Sequence, residues 1–235
     1  MPLCTELRFS RQVDKTQCYS LCHTADGQLI VGKMNGIDVY NKQMTERTAS
    51  LSTAWEPATS VASKYGQIYV RFKKSQNPDS TSSSIQVYSM SLETLRSFNV
   101  RAHYHTLAIV GSALYLTNPF TMVTQGSALA KVSIEDGHSM GEPICARKLT
   151  KPTIVKPYVQ DGVYVVASAT ELNLCTDQTV KWKTSIQGIA AITVEEDTGH
   201  IWTLVNSGKE RIIQIFSEKG GWITGEPCKH SLFQS

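Results

Sequence analysis

One short unit recurs five times along the chain: a turn bearing glycine, then an apolar, aromatic-rich run. It reads DGQLIVG at 26–32, YGQIYVR at 65–71, VGSALYL at 110–116, DGVYVVA at 161–167 and TGHIWTL at 198–204. Each is followed by a run with apolar residues at alternate positions: GIDVYN at 36–41, SIQVYS at 84–89, ALAKVS at 128–133, ELNLCT at 171–176 and RIIQIFS at 211–217. Each is preceded by another apolar or β-branched run (CYSLCHT, ATSVAS, HTLAIV, TIVKPYV, GIAAITV), and more polar runs such as RTASLST, TLRSFNV and VKWKTSI follow. A period of two sends alternate side chains to opposite faces of a strand. No long window carries the 3.6-residue period and the caps of a helix.

Four strands per unit, with glycines 27, 66, 111, 162 and 199 at intervals of roughly 40–50 residues, predict an all-β fold: a β-propeller of four-stranded antiparallel blades over residues 1–235 as one domain. The stretch from Gly199 through the C-terminus and round to Gly27 has room for one repeat, so five blades are expected, with six degenerate blades as the alternative. Closure is expected from the N-terminal ELRFSRQV, serving as the outer strand of the blade whose inner strands lie near the C-terminus. Such closure removes the sheet edges that invite aggregation.

With 41% hydrophobic residues among 235, the chain has enough apolar material for a packed core. The opening MPLCTELRFSRQV lacks a signal-peptide apolar run, no stretch is long enough to span a membrane, and no Asn-x-Ser/Thr sequon occurs. A cytoplasmic protein without a membrane partner is the expectation. The six cysteines, at 4, 18, 22, 145, 175 and 228, form no Cys-x-x-Cys pair, so they give no support to structural zinc. Free thiols are expected, a Cys4–Cys228 bond between the chain ends being the alternative.

The segment GIAAITVEEDTGHIWTLVNSGKERIIQIFSEKGG at 188–221 resembles an NHL repeat. Gly188, Ile189, Ala190, Gly199, Ile201, Asn206, Arg211, Ile212 and Phe216 fit that family's pattern, with one residue extra before Gln214. SLCHTADGQLIVGKMNGIDVYN at 20–41 is a shorter version, and the other three units match in strand pattern alone. The Asp usual after the family's second strand is absent, and the family's propellers commonly have six blades. This resemblance implies a divergent NHL-like propeller of the kind found at the C-terminus of tripartite-motif (TRIM) ubiquitin ligases, a domain that recruits a ubiquitination substrate or RNA. Ligase chemistry is not implied within this chain.

Propeller topology sorts the loops by face. The second-to-third-strand loops and the blade connections share one face, which receives Lys33, Lys73, Lys74, Arg101, Lys151, Lys156, Lys209 and Arg211 against Glu56, Asp79, Glu171 and Glu210. The opposite turns carry Asp26, Asp136, Asp161, Glu195, Glu196 and Asp197. The net charge of +3 is small, but this partition would orient an acidic partner or nucleic acid. The long loops KKSQNPDSTSSS and TNPFTMVTQGS fall on the basic face. Trp55 there is the expected protein anchor, and Arg101, His103 and Tyr104 could stack on single-stranded RNA. The plainer reading of RAHYHTL, with His103 and His105 on one strand face, is an ordinary connector with a structural tyrosine.

Catalysis has little to stand on. A propeller glycosidase, the remaining alternative, needs paired carboxylates about a pocket, whereas most acids here sit in Asp-Gly or Glu-Asp turns. No nucleophile elbow, zinc-protease helix or phosphate loop occurs, and neither a cofactor nor a metal is called for. The sequence therefore predicts a non-catalytic recognition domain that docks a protein on its basic loop face, or a single-stranded RNA binder.

Overall fold

The alternating runs all become strands. The computed structural model describes residues 18–53, 56–72, 82–101, 104–119, 128–208 and 210–227. Blade 1 comprises β1 (Cys18–His23), β2 (Leu29–Lys33), β3 (Gly36–Tyr40) and β4 (Arg47–Ser52); blade 2 comprises β5 (Ala58–Lys64), β6 (Gln67–Phe72), β7 (Ser82–Ser89) and β8 (Thr94–Arg101). Blade 3 holds β9 (Leu107–Val110), β10 (Ala113–Thr117) and β11 (Leu129–Ser133). Blade 4 follows with β12 (Ile154–Pro157), β13 (Tyr164–Ala167), β14 (Glu171–Cys175) and β15 (Val180–Ser185), and blade 5 with β16 (Ile189–Val194), β17 (Ile201–Ser207), β18 (Glu210–Phe216) and β19 (Trp222–Pro227). Every sheet is antiparallel and runs in sequence order, so the chain leaves each blade at its outer strand and enters the next at its inner one. This is a five-bladed β-propeller.

The period of two explains how blades join. In blade 4, Tyr164 and Val166 of β13 are buried toward blade 3, while Val165 and Ala167 are buried toward blade 5. Each fully buried aliphatic side chain contributes about 1.5–3 kcal/mol relative to an exposed one, and each junction between consecutive blades from 1 to 5 stacks rows of them.

Blade 3 departs from the expected four strands: among the described residues it has three, plus a single bridge between Val132 and Ser139. The sequence explains it, because EDGHSMGEP has no apolar alternation to build a strand. A short 3-10 helix, Ile144–Lys148, covers the gap and buries Cys145 and Ala146 against blade 4. Asp177 anchors it. Its carbonyl accepts from the Cys145 N–H (3.2 Å), and its carboxylate accepts from Tyr115 (2.6 Å) and Tyr164 (3.3 Å) and pairs with Lys131 at 2.7 Å.

Burial raises the Asp177 carboxyl, but the bonds from Lys131 and Tyr115 and the Lys131 charge outweigh it, and its pKa falls below the ordinary value. A lowered folded pKa gives stability that is present above the unfolded carboxylate pKa of about 4 and lost as pH falls through the folded value. Asp177→Asn should therefore be less stable than wild type by about 1–2 kcal/mol at neutral pH. The gap between their unfolding midpoints should close on acidification from about pH 6 to 3; a gap that stays constant would rule out this linkage.

The outer position of blade 5 corrects one expectation. β19 occupies it, paired to β18 from Ile212↔Pro227 to Phe216↔Trp222, so that place beside β18 is not left for the N-terminal ELRFSRQV. That segment lies outside the described residues, as do Cys4 and Cys228. Cys18, Cys22, Cys145 and Cys175 are free thiols. No helix among the described residues is long and apolar enough to cross a membrane.

Candidate docking groove between blades 4 and 5

The connection from blade 4 to blade 5 is held from both sides. Ile186 N–H donates to Thr170 O (3.0 Å) and Gly188 N–H to Ala169 O (2.7 Å), both in the β13–β14 hairpin loop. On the other side Asn206 N–H donates to Gly188 O at 2.8 Å. Gly188 has φ +82°, and a Cβ built on it would lie 2.2 Å from Asn206 O, so the approach needs glycine. The outer strands are tied by Trp182, whose indole N–H donates to Glu218 O at 2.6 Å while its ring lies against Gly220.

Between these ties lies a groove of 730 Å³. Ile186, Val205, Ile212 and Phe216 give it an apolar floor, Gln187, Asn206 and Gln214 supply amides, and Trp222 stands at its rim. Trp222 is 66% exposed, although it pairs with the buried Phe216 on the neighbouring strand. Among the described residues no ionisable side chain lines the groove. Its lining runs from the blade 4–blade 5 connection and the β17–β18 turn (residues 185–187 and 206–208) to Phe216 and Trp222 at the other end of β18, so the groove follows the junction between the two blades from one face to the other. An apolar floor with amide donors suits an extended peptide: side chains fill the floor and amides meet backbone groups.

The expected basic site is assembled only in part. Lys33 turns inward, 8% exposed, with its ammonium 2.6 Å from the Asp38 carboxylate. Tyr104 is buried at 7% exposure in the core between blades 2 and 3, so its ring is not offered to a base. A cross-strand carboxylate and an interblade core claim these two side chains. Lys156 is half-buried on inner strand β12, where burial lowers its pKa and the Cys22 thiol opposes that shift. The same burial pushes Cys22 up to about 12.

Lys151 is exposed in the connection before β12, and Arg211 is exposed on β18 opposite Asn206 beside the groove. Arg101 ends β8, paired with Ser82. Trp55, Lys73, Lys74, His103 and Lys209 lie outside the described residues. His105 is a connector residue, its Nδ1 lying 3.2 Å from Thr153 O. On the opposite face Asp136 and Glu195 bond to their own turns, through His138 and Thr198. Trp222, Gln187 and Gln214, which line this groove, carry no sequence signal that sets them apart from ordinary strand and connector residues.

No family model matches the chain, and no curated protein matches it. Solved structures do. A functionally unknown protein from Desulfotomaculum acetoxidans DSM 771 aligns over 91% of this chain and 70% of its own, with TM-score 0.64 and 12% identity. The Pan2 WD40 domain of Neurospora crassa aligns over 90% of this chain and 66% of its own, with TM-score 0.63 and 11% identity. A chain of the mitotic checkpoint complex aligns over 94% and 70%, with TM-score 0.64 and 11% identity. At such identities the likeness is one of fold: this chain is built like β-propellers of the WD40 type.

Proposed function

We propose that this chain is a non-catalytic docking domain that binds a protein partner as an extended segment in the groove between blades 4 and 5. The observation that carries the proposal is Trp222, a large aromatic left 66% exposed over an apolar floor. Exposed tryptophans in such settings are the residue type most often found as binding anchors. The NHL-like stretch 188–221 builds one wall of the groove. The substrate-recruiting role implied by resemblance to TRIM ligases would thus be exercised there. That a structural neighbour is part of a multiprotein complex agrees with a docking role.

The RNA reading has less behind it, since Lys33 is ion-paired and Tyr104 buried. The test uses wild type and Trp222→Ala as paired baits for affinity capture. The variant should lose its partner by about 30-fold or more in affinity, with its unfolding midpoint unchanged because the indole is mostly in solvent. Equal capture by both would remove the groove from consideration. Anisotropy of a mixed single-stranded RNA pool at two salt concentrations is the second arm. Tight binding with a log–log salt slope of about −0.7 per phosphate, retained in Trp222→Ala, would replace protein docking with RNA recognition.

A further inference from the structure

Arg71 carries a charge that no described residue offsets. It lies on β6 two places beyond Tyr69, opposite Ser60 of β5 and Ile85 of β7, on the face turned toward blade 3. Its Nη1 donates to Thr59 Oγ1 at 2.5 Å, so the guanidinium reaches inward over β5 at the end of the molecule where blade 1 connects to blade 2. Its Nε is buried without a hydrogen-bond partner, although the residue as a whole is half-buried and not sealed from solvent. Burial pushes its pKa down to about 10, and no carboxylate among the described residues pulls it back. At neutral pH the group is still charged. Burying a charge without a counter-charge is costly, because hydration is lost and no attraction replaces it.

The other buried cations are treated differently. Lys33 has the Asp38 carboxylate at 2.6 Å. Arg96 donates from Nη2 to Gln67, to Tyr69 and to the carbonyl of Ile134, each at 3.0 Å.

Nor does the propeller need a guanidinium at this place. Ile30, Tyr115 and Val165 are buried against the next blade as Tyr69 is, so the residues two places beyond them stand where Arg71 stands in blade 2. They are Gly32, Thr117 and Ala167. Gly32 lies so close to blade 2 that a Cβ on it would come 2.5 Å from Ala58 O. The Thr117 hydroxyl is within 3.0 Å of Thr106 Oγ1 and donates to Thr153 O at 3.1 Å, and Ala167 is fully buried against blade 5. A small side chain closes each of these junctions. Packing therefore gives no reason for the arginine.

We propose that Arg71 receives an oxyanion from outside the chain, the carboxylate or phosphate group of a ligand that enters on the loop face between blades 2 and 3. Both groups offer oxygens that accept charge-assisted hydrogen bonds from a guanidinium. Thr59 holds one nitrogen of the fork, so the group is oriented before the ligand arrives. Blades 3 and 4 separate this site from the groove between blades 4 and 5, and the two stand independently of each other.

Thermal unfolding of the full chain tests this, with sodium phosphate and sodium acetate each titrated against sodium chloride at equal ionic strength. The wild-type midpoint should rise and saturate with at least one of the two anions. A rise with phosphate alone assigns a phosphate group, and one with acetate alone assigns a carboxylate. Arg71→Met should weaken the apparent affinity about tenfold or more, while Arg71→Lys keeps part of it. Without added anion Arg71→Met should be at least as stable as wild type, because the unpaired charge is gone. Arg71→Gln makes the same comparison if the methionine variant fails to fold. No saturating rise in the wild type, or rises of equal size in the wild type and the neutral variants, would overturn the proposal. So would a loss of stability in Asp79→Asn that matches a loss in Arg71→Met and is not increased in the double variant. Asp79 follows β6 outside the described residues, and that outcome would make the counter-charge a residue of this chain.

Discussion

Asp38→Ala is expected to cost about 3–5 kcal/mol of stability, a large share of the roughly 5–15 kcal/mol that holds a domain together. Asp38 sits on β3 with no solvent exposure. Its carboxylate lies 2.6 Å from Lys33 Nζ, accepts from Ser50 Oγ at 2.6 Å, and has Arg47 at 3.6 Å. Removing it takes from Lys33, itself 8% exposed, the carboxylate that offsets its desolvation. The charge is the cause, not the volume, so pairing Asp38→Ala with Lys33→Met should recover most of the loss. Urea midpoints of the single and double variants measure this. A single variant within about 1 kcal/mol of wild type, or a double variant no better than the single one, would refute the account.

Gly188→Ala is the second large effect, expected at about 3 kcal/mol or more. Two penalties combine. At φ +82° an L side chain is strained, and the new Cβ would lie 2.2 Å from the carbonyl of Asn206, which belongs to a paired strand and has little room to withdraw. Gly162 separates these penalties, because it has φ +69° but no atom within 4 Å of the place a methyl group would take. Gly162→Ala should cost only about 1 kcal/mol. Thermal unfolding of both variants gives the comparison, and equal losses would mean that the contact with Asn206 contributes nothing. Gly188→Ala should also weaken partner binding in the groove, since the connection carrying Ile186 and Gln187 must shift to relieve the overlap.

The repeat was legible because its signals are local. Glycine turns and a two-residue period depend on neighbours in sequence, and they placed the strands of blades 1, 2 and 4 and the first three strands of blade 5 close to where they lie, but not β19. The sorting of loops by face followed from antiparallel connectivity alone. Blade 3 shows the limit: EDGHSMGEP carries no strand pattern, and nothing in it announces a 3-10 helix that borrows Asp177 from the next blade.

The members of the candidate site were not legible in the sequence. Charge on the loop face was read from the residue type of Lys33, but its availability depends on Asp38, five residues on and brought close across a hairpin. Tyr104 looked like a stacking platform in a connector until blades 2 and 3 closed over it. Among the tryptophans the sequence singled out Trp55, which lies outside the described residues, whereas the exposure of Trp222 is a property of the folded chain alone. By itself, the sequence determined the class of fold, the number of blades and the face on which loops gather, because turns and strand periodicity are short-range properties of the chain. Only the tertiary structure decided which charges are paired and which aromatics reach solvent. Those outcomes depend on residues far apart in sequence, and burial is a property of the assembled blades.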